Sequence, residues 1–92
     1  MTLPAIIHES FLQLFNFHHR GCVHKATLFQ KVIYAQFQTF HTVERDQAYR
    51  LSFEMMGQGY CTLITFAPHA YTVWVDIRAL DRFPHLVSDA YR

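Results

Sequence analysis

The residues best suited to chemistry lie in one run, His18-His19-Arg20-Gly21-Cys22-Val23-His24, which holds three histidines and one of the two cysteines. Imidazole and thiolate are the common ligands of zinc, and haem iron takes the same donors. Cys22 and His24 stand two apart, so on an extended chain they point to the same side and could chelate. His18 could add a third ligand by reaching over a helix end. A closed zinc site would then need a fourth from Cys61, His41, His69 or His85. No second Cys-x-x-Cys or His-x-x-x-His pair specifies that ligand. Zinc or haem at His18, Cys22 and His24 is therefore the alternative reading, and the main expectation is no cofactor.

Other catalytic chemistry has less support. A nucleophilic cysteine needs a base and an orienting group beside it. Cys61, in Tyr60-Cys61-Thr62-Leu63, reads as a buried inert thiol inside a strand. Asp76 and Asp81 flank Arg78, which an ordinary ion pair explains. Gly57-Gln58-Gly59 lacks the remaining glycine and the Lys-Ser/Thr of a phosphate loop. A non-enzymatic protein is expected.

Composition narrows the partners. The 92 residues are 51% hydrophobic and 16% aromatic, with only 16% charged and a formal net charge of +1. Such a chain is ordered rather than disordered, and leaves apolar surface for a partner. Two lysines and no basic run give no electrostatic footprint for nucleic acid. No apolar run approaches a membrane span, and the N-terminus lacks a basic segment followed by an apolar one, so a cytoplasmic location is expected.

The elements that must position these residues are read from periodicity. Pro4 to Arg20 fits a helix with Ile7, Phe11, Leu14, Phe15 and His18 on one face and Gly21 as its stop. Residues 25–40 fit either a helical stripe or a strand near 31–41; β-branched and aromatic residues favour the strand. Residues 41–47 read as a solvated connection. Tyr49, Leu51, Phe53 and Met55 alternate with polar residues as a strand, against a competing helix from Thr42 to before Gly57. Residues 60–67 and 71–77 read as two more strands, and residues 81–84 open a short C-terminal helix with Phe83, Leu86, Val87 and Ala90 turned inward.

The expected fold is a single small two-layer α+β domain. It has an antiparallel meander sheet of three to four strands, an N-terminal helix and a short C-terminal helix. In that fold Trp74 falls between Thr72 and Asp76, on a face that is either covered by a helix, making it core, or wet, making it a binding anchor. Trp74, Tyr71 and Arg78, with Tyr60 and Arg50 beside them, are then the expected partner-binding residues. The expected function is a regulator, adaptor, assembly factor or inhibitor that binds a larger protein, and the chain could also pair with itself as a homodimer.

Overall fold

The computed structural model describes residues 5–82. Six strands form one mixed sheet: β1 (Ala5–His8), β2 (Leu14–His19), β3 (Cys22–Phe29), β4 (Val32–His41), β5 (Thr62–Ala67) and β6 (Ala70–Asp76). Helix α1 (Arg45–Gly57) follows a 3-10 turn at Thr42–Glu44, and a single turn, α2 (Ala79–Arg82), follows β6. The spatial order is β1-β5-β6-β4-β3-β2. β1 runs parallel to β5, and every other pairing is antiparallel.

This overturns the expected three- to four-stranded antiparallel meander with an N-terminal helix. Residues 5–19 form β1, a 3-10 turn and β2. Leu14, Asn16 and His18 face one side of the sheet and Phe15, Phe17 and His19 the other, an alternation as regular as the helical stripe. Gly21 does have a left-handed backbone, but as half of a two-residue hairpin turn. Arg20 (φ 51°) and Gly21 (φ 79°) carry the paired positive φ of a type I′ turn, which matches the twist of the strands it joins. The expected strand over 49–55 is instead helix α1. Ala48, Ser52 and Met55 are its buried positions, spaced four and three apart. His41 and Glu44 start this segment reciprocally: Glu44 Oε1 accepts from the His41 N–H at 3.0 Å, and His41 Nδ1 accepts from the Val43 N–H. The inward-facing helical positions expected beyond Arg82 lie outside the described residues.

α1 packs on β4, β5 and β6. Phe40, Ala48, Ile64 and Val73 fill one end of this layer. Ala35, Phe37, Met55, Val75, Ala79 and Leu80 fill the other. Ala35 and Phe37, two apart, share the α1 side, and a register irregularity between Gln36 and Gln38 brings Phe40 to that side as well. Buried Ser52 on α1 is hydrogen-bonded to Thr62 on β5, so neither hydroxyl is left unsatisfied.

Among the described residues, no α-helix covers the opposite sheet face. Its core is Tyr34, Leu63 and Trp74, with Ile7, Leu12, Phe29 and Val32 packed around them. Leu12 arrives there on the five-residue link between β1 and β2, the two outer strands. Neighbouring strands are about 4.8 Å apart, so a flat six-stranded sheet would separate its outer strands by about 24 Å. The link contains a 3-10 turn at Glu9–Phe11 and reaches only about 17 Å. The sheet must therefore curl, and the link crosses its inner face as a strap. Thr27 Oγ1 donates to the Gln13 carbonyl at 3.0 Å and anchors the far end.

The β3–β4 turn has the same paired positive φ without a glycine: Gln30 at 50° and Lys31 at 69°. A left-handed backbone costs a side-chain-bearing residue about 1–2 kcal/mol. Replacing Gln30-Lys31 by Asn-Gly is expected to raise stability by about 1–2 kcal/mol. A urea midpoint no higher than that of the native chain contradicts this account of the turn.

Candidate functional site

Three of the five residues expected at a partner surface are committed to the fold. Trp74 is 0% exposed, and its indole Nε1–H donates to Thr65 Oγ1 at 2.9 Å. The curled sheet and the strap have turned its expected wet face into core, so no exposed ring is available. Tyr71 is half-buried against the cluster of Phe40, Ala48, Ile64 and Val73. Arg78 is clamped onto Asp76. Its backbone N–H and Nε donate to Oδ1, each at 3.0 Å, and Nη2 donates to Oδ2, also at 3.0 Å. Nη2 also reaches the Gly59 carbonyl, and the guanidinium lies 5.9 Å from the centre of the Tyr60 ring.

Asp76 itself is buried, and its Oδ2 also accepts from the Cys61 N–H at 2.7 Å. The carboxylate thus ties the end of β6 to the start of β5. It also holds the Arg78 guanidinium more firmly protonated than usual. The Asp76–Arg78 ion pair agrees with the sequence reading; the Cys61 environment does not. Cys61 is exposed and precedes β5 rather than lying buried within a strand. Arg50 is exposed on α1, where it lines an open cleft with Gln38, Phe40, Glu44, Asp46 and Glu54. With Trp74 fully buried, the five residues do not form the expected surface around an exposed indole.

The proposed metal ligands are also redistributed. Cys22 and His24 share one sheet side, as their spacing implies. His18 pairs with Val23 and faces the other side, whereas His19 stands directly opposite Cys22. His19 Nε2 is 3.0 Å from Asp81 Oδ1, and Arg20 Nη2 is 3.2 Å from the same oxygen. Among the described residues, no three His, Cys, Asp or Glu side chains stand together as a metal-holding group. His24 is buried, and its Nδ1 has no hydrogen-bond partner among the described residues. Burial, aided by the neighbouring His19, pushes its imidazole below the ordinary value of 6.5.

What the hairpin does present is an edge. β2 is the last strand of the sheet, and among the described residues nothing pairs with its outer side. Leu14 and Phe15 are 46% and 41% exposed, and Asn16 and His18 are also exposed. Val23 and Leu28 add exposed apolar area on the adjacent β3. The strand carries none of the usual protections of an edge: it has no lysine, no proline and no bulge. The sequence reading missed it because a helix over 4–20 has no edge. The signal that could have found it is the polar alternation of Asn16 and His18 before a glycine-containing turn.

Two outcomes follow from these placements. Trp74→Ala should cost about 3–5 kcal/mol by emptying the inner core. A chemical-denaturation midpoint unchanged by the substitution would contradict that. His24 gives a pH dependence. The unfolded chain takes up a proton that the folded chain resists, so this contribution to stability is complete above about pH 6.5 and declines as pH falls toward the lowered folded value. His24→Leu should therefore flatten the fall in urea midpoint below pH 6.5. An equally steep fall in the variant would remove His24 as its source.

No described helix is long and apolar enough to cross a membrane. No protein-family model, curated protein or solved structure matches the chain.

Proposed function

We propose that this chain is a non-enzymatic protein-interaction domain that works by strand addition along β2. The outer side of Leu14–His19, with which no described strand pairs, carries this reading together with exposed Leu14, Phe15, Val23 and Leu28. Strand addition uses two sources of binding energy. Backbone groups along the free edge supply hydrogen bonds to any extended segment, and alternate side chains supply selectivity. Here Phe15 and Phe17 offer aromatic contacts on the α1 side, and Leu14, Asn16 and His18 offer smaller or polar contacts on the strap side. The binding site thus moves from the sheet surface around Trp74 to the sheet edge. The role remains regulator, adaptor, assembly factor or inhibitor, exercised by occupying a strand-sized surface.

A photo-crosslinking phenylalanine analogue tests the placement. Installed at Phe15 in the native host, it should give a discrete crosslinked protein species. Installed at exposed Val43, outside the edge, it should not. Equal crosslinking at both positions, or none at Phe15, overturns strand addition at β2.

A further inference from the structure

We infer that the strand added along β2 is β2 of a second copy of this chain, paired antiparallel about a two-fold axis through Asn16. The inference rests on the edge reading above and names its partner.

Symmetry restricts the register. Two antiparallel copies of one strand are related by a two-fold axis normal to the sheet, which keeps each sheet face on its own side. Side chains directly opposite one another also share a side. Paired positions must therefore both be odd or both be even, and the axis must pass through a residue. Within Leu14–His19, axes through Asn16 or Phe17 engage five residues, and axes nearer the ends engage fewer. The Phe17 axis sets Phe15 against His19, whose ring is already held by Asp81. The Asn16 axis instead sets Phe15 against Phe17 of the second copy, twice. It also sets Leu14 against His18 twice, and Asn16 against Asn16.

The strand is self-complementary in that register. Phe15 and Phe17 lie on the α1 side of the sheet, so the four rings form one continuous aromatic ladder across the junction. Aromatic pairs across strands are among the stabilising ones. No like charges meet, because Leu-Phe-Asn-Phe-His-His carries no Asp, Glu, Lys or Arg. The Asn16 pair at the axis can exchange side-chain amide hydrogen bonds. The net charge of +1 adds little long-range repulsion between copies. A foreign strand would have to supply this aromatic spacing independently, whereas a second copy supplies it by construction.

The test is sedimentation together with a register-specific crosslink. The native chain at about 100 μM, a concentration at which even a micromolar complex is populated, should sediment at twice the 10.9 kDa monomer mass. Phe15→Lys should return it to monomer with unchanged Trp74 fluorescence. In a Cys22→Ser, Cys61→Ser background, Asn16→Cys should form a disulfide dimer on mild oxidation, since residues paired across strands lie within disulfide reach. His18→Cys, facing Leu14, should not. If Phe15→Lys fails to fold, the cysteine pair decides alone. A native chain that stays monomeric overturns the inference, as does a dimer that crosslinks equally well at position 18. A monomeric chain whose Phe15 analogue still captures a different protein overturns self-pairing alone and leaves strand addition standing. A monomeric chain with no capture at Phe15 removes both.

Discussion

The short strap between β1 and β2 constrains everything else in this molecule. These strands are consecutive in sequence but occupy opposite edges of the sheet, and the link between them has five residues. A flat six-stranded sheet cannot be bridged by so short a segment, so the sheet curls. Curling gives it an inner face that needs no helix. Trp74, Leu63 and Tyr34 are buried there by the sheet itself and by Leu12 on the strap. A 78-residue described segment thus gains two apolar layers from one sheet, with a single substantial helix on the outside. Small domains are short of buried area, and this arrangement offsets part of that shortage.

The same constraint leaves β2 at the boundary. Both cores are built on β4, β5 and β6, where α1, the strap and the Asp76 clamp converge. Among the described strands, β3 pairs with β4 over Ala26–Phe29, and its first half, Cys22–Lys25, pairs with β2. The β2–β3 hairpin stays anchored to the core through Phe17 and His24, while its outer strand lies at the end of the sheet. No described strand pairs with its outer side, and Leu14 and Phe15 keep a large part of their surface in water. An edge left in that state is a template for another strand. The strap that buries the inner core and the edge offered for binding are thus consequences of one topology.

Several elements were legible in the residues alone. The β5–β6 hairpin is marked by two alternating runs around Pro68-His69, and β4 by β-branched and aromatic enrichment over 32–41. The Asp76–Arg78 pair follows from their spacing, and the shared side of Cys22 and His24 from strand period. The rest was hidden for identifiable reasons. Residues 5–20 satisfy a helical stripe and a strand alternation equally well, because aromatic and histidine residues are placed at both periods. Residues 49–55 alternate as a strand does, yet Ala48, Ser52 and Met55 are small or slim enough to let a helix approach the sheet.

Local chemistry alone thus determined that the chain is a small, aromatic-rich, weakly charged α+β domain whose Gly21 needs a left-handed backbone. It also determined where the last two strands turn. Tertiary structure alone decided which face Trp74 occupies, that the Arg78 guanidinium is bonded to Asp76, and that His18 and Cys22 point to opposite sides. Periodicity reports which residues share a side, and it is silent on what covers that side. Here the cover is a strap whose reach is set by chain length, and the open edge is set by strand order. Both are relations between residues far apart in sequence, which no local pattern encodes.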